Sequence, residues 1–146
     1  MTRDEVMALE PGPEMDAAVA EHVMGWTRFN DRRRLPRRGE FDVSGGRVWL
    51  LGPEWEEPTW LRIKPWEPSA DIAAAWTVVE KLRAHYWMEL ATSYQTVQAA
   101  RRCDQRQLGY SCKVGHVYQR DHETAWAISA PAAICRAVLL AMLEGE

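Results

Sequence analysis

Apolar positions recur with a helical period in three separated stretches of the chain. From Pro13, which suits the first turn of a helix, Met15, Val19 and Val23 return every four residues, with Ala18 and His22 alongside, and Gly25 closes the run. In the middle of the chain Ser69 reads as an N-cap and Asp71 as negative charge at the positive end of the helix dipole. Ile72, Ala75, Trp76, Val79 and Leu82 then form a stripe, which predicts that Trp76 is buried and that Ala73 to Ala75 let another layer approach. Near the end, Pro131 suits a first turn, and Ile134, Cys135, Val138, Leu139 and Met142 form a broad apolar stripe. Ahead of all three, Thr2 and Glu5 have the spacing of a capping box, and residues 11–13, Pro-Gly-Pro, break that short helical turn. By the same phasing His22 falls at the edge of the core.

Between these helices the pattern changes to short runs rich in Val, Leu, Ile and Trp. "WTRFN" reads as a short strand, and an Arg-rich loop and a Gly45-Gly46 turn follow it. "RVWLLG" and "TWLRIK" are strands separated by the turn material "PEWEEP". "YWMELATSY" is a strand, "YSCKVGHVY" alternates so that Tyr110, Cys112, Val114, His116 and Tyr118 share a face, and "TAWAIS" is a further strand. "QTVQAARRCDQRQLG" has no clear period and fits either a hairpin extension or a short helix. Antiparallel hairpins interleaved with helices argue for an α+β protein with helices packed on a sheet.

The bulk numbers narrow the class. A chain of 146 residues suits one domain, 1–146, and 47% apolar with 27% charged residues is a globular composition. A net charge of −3 argues against nucleic acid as the partner. That average hides an asymmetry: six acids and one Arg lie in residues 1–22, whereas six Arg and Asp31 alone lie in residues 28–38. The first residues are charged and lack an apolar export segment, and no run approaches the ~20 residues that span a bilayer. Three cysteines without an export signal read as reduced thiols, so the expected compartment is the cytoplasm of the host cell, away from membranes.

Three blocks, "LEPGPEMDAAVAEHVMGW", "PSADIAAAWTVVEKL" and "PAAICRAVLLAMLE", resemble in sequence and in order the segments of the Phage ABA sandwich domain family. The resemblance covers both ends and the middle, roughly a third of the chain. It implies a three-layer helix-sheet-helix (ABA) sandwich with a mainly antiparallel sheet, encoded in a phage or prophage genome, and it implies no activity. The Arg-rich loop (28–40) and the segment 92–109 look longer than in typical members, and loops on a rigid scaffold are where function concentrates.

The candidate chemistry lies in side chains rather than in a motif. Cys103, Cys112, His116 and His122 are the residue types of a zinc site. Their gaps of eight, three and five residues do not match the common fingers, and a packed strand accounts for Cys112 and His116 sharing a face. Cys135 sits in an apolar stripe, where thiols are inert; Cys103 lies beside Arg101 and Arg102, which lower a thiol pKa. His85 follows the middle helix, where an imidazolium suits the dipole. No metal, no cofactor and no catalytic constellation is expected, with a small nucleotide enzyme using His116 or His122 as the alternative. The sharpest polar feature is "RFNDRRRLPRR". Arg28, Arg32, Arg33, Arg34 and Arg37 offer forked donors for phosphate, and Trp26 and Trp49 flank them as stacking surfaces; a solvated loop balancing the acidic first helix is the plainer account.

The sequence therefore points to a non-enzymatic phage accessory protein. Its sharper form is a counter-defence protein that sequesters a small anionic, nucleotide-like host immune signal in a pocket made by Arg and Trp between subunits, with a host protein or a phage structural assembly as the other partner classes. Eight Trp exceed what a core of this size readily buries, which predicts a homo-oligomer with indole at the interface.

Overall fold

A computed structural model describes residues 1–30, 33, 37, 39–51, 64–98 and 104–144. It begins with α1 (Arg3–Ala8), whose Thr2 and Glu5 close the reciprocal capping box, and α2 (Pro13–His22). A first sheet follows, in the order β1 (Thr27–Arg28), β2 (Glu40–Ser44), β3 (Arg47–Leu51), β4 (Lys64–Pro65). Its β1–β2 pair is parallel and the other two pairs are antiparallel. Gly45 and Gly46, with φ of 62° and 74°, form the two-residue turn between β2 and β3, where two successive positive φ values favour glycine. After α3 (Ile72–Leu82) comes a second, antiparallel sheet in the order β5 (Tyr86–Gln98), β6 (Asp104–His116), β7 (His122–Ala127), and the described chain closes with α4 (Ala130–Glu144). The fold is α+β, mainly antiparallel, with α2 packed on the first sheet and α4 on the second.

Why these layers form follows from α4. Ala132, Ala133, Ile134, Cys135, Ala137, Val138, Leu139, Leu140 and Ala141 are all buried, so the helix is apolar around its circumference rather than along one stripe. It packs on β6 and β7 on one side and against α1, α2 and α3 on the others, while α2 in turn covers β1, β2 and β3. Arg136 is the charged residue of its buried stretch. Its guanidinium donates to the carbonyls of Trp126 and Leu9, both at 2.8 Å, and so ties α4 to the end of β7 and to the C-cap of α1. Arg3 bonds the buried Glu123 at 2.7 Å and fixes α1 to the same sheet.

The apolar positions expected in α2 (Met15, Ala18, Val19, Val23) and most of those in α4 (Ile134, Cys135, Val138, Leu139) are buried, with burial extending beyond one stripe in both; the phase of α3 differs. Trp76 is 56% exposed and Ile72 is exposed as well, because the face turned toward α4 carries Ala74, Ala75, Val78 and Leu82. The stripe is rotated by about one residue, ~100°, from the expected one. Small alanines allow α3 to lie close to α4, and an indole in that contact would hold the helices apart. Asp71, not Ser69, is the N-cap, with its carboxylate accepting from the Ala73 N–H at 3.0 Å; Ser69 is buried in the preceding turn. His22 is exposed at the end of α2. Tyr118 is 87% exposed and off the strand, since β6 ends at His116 where Gln119 N–H bonds back to its carbonyl. The 92–109 segment forms the outer half of the β5–β6 hairpin, with its tip, and Cys103, outside the described residues.

Two indoles brace the outer face of the second sheet in opposite directions. Trp126 of β7 crosses over Gly109 of β6, and its Nε1–H donates to the Ser93 carbonyl of β5 at 3.3 Å. Trp87 of β5 crosses over Gly115 toward His122 of β7, with ring centroids 5.5 Å apart. A methyl at Gly115 would sit 2.7 Å from the Trp87 ring, and one at Gly109 would overlap both the Trp126 ring and the Ala127 carbonyl. Glycine is therefore required for room. Gly115→Ala should lose about 1–3 kcal/mol by overpacking, and Gly109→Ala at least as much because backbone bounds it. Trp76→Ala, on an exposed face, should change stability by less than about 0.5 kcal/mol. Urea denaturation of the three variants checks both statements; a neutral glycine pair or a costly Trp76 would contradict them.

Candidate functional site

A cleft of about 480 Å³ opens between α2 and the first sheet, within the usual range for small-molecule sites. The spacing of α2 creates one wall: Glu14, Ala17, Ala18 and Glu21 fall at i, i+3, i+4 and i+7, so two alanines lie between two carboxylates two turns apart. Because the alanines are small, the opposite wall, with Val43 and Arg28, stands off and leaves a space. Arg28 is the final residue of β1. Its guanidinium lies 5.8 Å from the Phe41 ring centre and its Nε is 3.5 Å from Glu21. Both partners are about half exposed, so the pair is an adjustable surface contact rather than a fixed clamp. The cleft thus offers an apolar floor, one forked cation and two carboxylates.

Of the residues singled out in the sequence, Arg28 alone lines this cleft among the described ones. Arg33 and Arg37 are exposed beyond it, and Arg32 and Arg34 lie outside the described residues. Trp26 and Trp49 are not brought together. Trp26 packs on the buried Trp66, ring centroids 4.8 Å apart, as part of the core rim. Trp49 sits opposite Asp42 and next to Val48, whose side chain enters the core, so alternation turns Trp49 to the other face; its Nε1–H donates to the Ser44 carbonyl at 3.1 Å. The acidic half of the site, Glu14 and Glu21, had no signal in the sequence beyond the acidic character of residues 1–22.

The thiols and imidazoles are placed for packing. Cys112 and Cys135 are buried; desolvation pushes the Cys112 thiol up to about 12, and raises that of Cys135 well above its ordinary value, with the charge of Asp16 and neighbouring Cys112 adding to it. Neither is a thiolate nucleophile near neutral pH. His116 stands edge-on to Tyr86 at 5.2 Å, and its Nδ1 accepts from the Tyr118 N–H at 3.2 Å. His116, His122, Asp121 and Glu123 border a hollow of about 60 Å³, and among the described residues no three His, Cys, Asp or Glu side chains come together to hold a metal.

A buried polar knot fixes the start of α2. The Ser69 hydroxyl accepts from Gly12 N–H at 2.9 Å, and the Ser69 N–H donates to Asp16 Oδ1 at 2.8 Å, joining the start of α2 to the turn before α3. Asp16 is 2% exposed. Burial pushes its carboxyl up to about 6, against the pull of the Ser69 backbone N–H and hydroxyl and with Glu67 adding to the rise.

Residues 17–139 match the family model of the Phage ABA sandwich domain. Among solved structures the chain is similar to a phage protein from Bacillus cereus, with 20% identity over 90% of this chain and 91% of that one and a TM-score of 0.45. No curated protein matches it. No helix among the described residues is long and apolar enough to cross a membrane.

The raised Asp16 value has a measurable consequence. The folded state holds this proton more tightly than the unfolded chain, whose ordinary value is 3.8, so the contribution is full below that pH and is lost as pH rises through about 6. The loss is on the order of 2–3 kcal/mol. Denaturation curves from pH 4 to 7 should show this fall in the parent and its absence in Asp16→Asn; equal slopes in the two proteins would contradict the assignment.

Proposed function

This chain belongs to the Phage ABA sandwich domain family, and we propose that it is a non-enzymatic phage accessory protein that binds, and so withdraws, a small nucleotide-like signal of the host. On this reading it acts in counter-defence, in the host cytoplasm where such signals act. The observation that carries the reading is the cleft of about 480 Å³ with Arg28 in its wall at the root of the Arg-rich loop. A guanidinium is suited to a phosphate because it presents paired, planar donors. A floor of Ala17, Ala18 and Val43 gives a planar base an apolar surface, and the carboxylates of Glu14 and Glu21 can accept from its exocyclic amino group. Glu21 must release Arg28 when phosphate enters, which the long, exposed 3.5 Å contact permits.

Binding rather than conversion agrees with the buried, proton-retaining thiols of Cys112 and Cys135, which are unsuited to nucleophilic attack. Titration with mono- and cyclic nucleotides, with recovery of the ligand afterwards, tests the reading. The parent should bind and return the nucleotide unchanged. Arg28→Ala should weaken binding by ~10-fold or more, with Arg28→Lys between the two because it keeps charge and loses the fork. Equal binding by all three proteins, or a converted nucleotide, would sink it.

A further inference from the structure

The β5–β6 hairpin outruns the rest of its sheet. β7 pairs with β6 from Tyr110 to Gly115, so from Gly109 outward the hairpin has two strands. The face that carries Cys112 and Val114 into the core continues along it as Leu90, Tyr94 and Leu108, which are 40%, 66% and 55% exposed. Beyond the core, large apolar side chains stand on a strand pair too thin to hold itself in water.

Among the described residues β5 is also the edge of that sheet, and Glu89, Leu90, Ala91 and Thr92 are exposed in succession on both faces. Natural edges are blunted by Pro, Lys, bulges or short length. Residues 86–98 contain no Pro and no Lys, pair with β6 without interruption over 13 residues, and carry a single charge, Glu89. Such an edge is a template for another strand.

We infer that the occupant is a second copy of this chain, joined β5 to β5 in antiparallel fashion about a twofold axis at Thr92. The charge and apolar pattern of the strand selects that register. With the axis at Thr92, each Leu90 faces Tyr94 of the partner subunit on the core side, and each Glu89 faces a neutral Gln95 of the partner subunit on the other. An axis at Glu89 would set the two carboxylates against each other. The twofold leaves the two core faces on the same side, so the pair forms one continuous sheet with the Leu90, Tyr94 and Leu108 sets side by side across the seam. All thirteen residues of β5 pair about that axis, a strip roughly 44 Å long and 10 Å deep. That is roughly 440 Å² per subunit, below the ~800 Å² per partner of a standard interface, so the dimer is weak and concentration-dependent. This inference stands apart from the cleft, which lies against the other sheet.

Sedimentation velocity from micromolar to sub-millimolar protein tests it. The parent should pass from monomer to dimer in that range. Leu90→Glu and Tyr94→Lys should each weaken the dimer by ~10-fold or more, and the double variant should recover it, because Leu90 and Tyr94 face each other twice. Thr92→Glu, which sets two carboxylates together at the axis, should give a monomer where Thr92→Gln does not. These positions are exposed, and far-UV circular dichroism confirms that each variant is folded. A parent that stays monomeric throughout, a dimer indifferent to Thr92→Glu, or a double variant no better than the singles would overturn the inference.

Discussion

A helix with apolar side chains on every face persists in water only when it is enclosed, and α4 is such a helix. From Ala132 to Ala141 every residue but Arg136 is buried. An ordinary amphipathic helix could lie on a sheet and leave its back to solvent; this one requires β6 and β7 beneath it and α1, α2 and α3 around it. Arg136 completes the enclosure, since its two hydrogen bonds reach the carbonyls at the ends of β7 and α1 from a single side chain. Removing such a group would take the donor from two part-buried carbonyls, which is why one charged residue belongs in this setting.

From that enclosure the functional geometry follows. Once α2 is held on α4, its opposite side must meet the first sheet, and Ala17 and Ala18 there leave the cleft that Arg28 borders. The Asp16–Ser69 knot ties the start of α2 to the turn before α3. On the far side of α4 the second sheet is supported on its inner face, among the described residues, along β7, the inner half of β6 and the first residues of β5, where Tyr86 and Met88 pack against the core. Trp87 and Trp126 stiffen its outer face, and past Gly109 neither device reaches. The exposed Leu90, Tyr94 and Leu108 lie where the helical layer stops.

The family, the α+β class and the order of elements were legible in the sequence because they are written in local signals. The Thr2–Glu5 box, Pro13, the four-residue period of α2 and the alternation of β6 each depend on neighbours in the chain. What failed was the phase of α3, where Ile72, Ala75, Trp76 and Val79 make as good a stripe as the real one. Periodicity locates an apolar face but does not say that small residues mark the closest helix contact. Ser69 is a sound cap by type, yet tertiary structure claimed its N–H and hydroxyl for Asp16 and Gly12. The two braces had a faint signal: Gly109 and Gly115 interrupt a strand on one face, which is where another group comes close. The cleft had none, since Glu21 and Arg28 meet only through packing, and the rest of the Arg-rich site falls partly outside the described residues.

Native-state hydrogen exchange tests the organising role of α4 most directly. Amides of Ile134 to Leu140 should exchange only through global unfolding, with opening free energies that equal the stability from denaturation and fall with denaturant at the full global slope. The outer β5–β6 hairpin should open at far lower free energy. If α4 amides exchanged through small local openings while the outer hairpin remained protected, the account of α4 as the element on which the fold closes would be wrong.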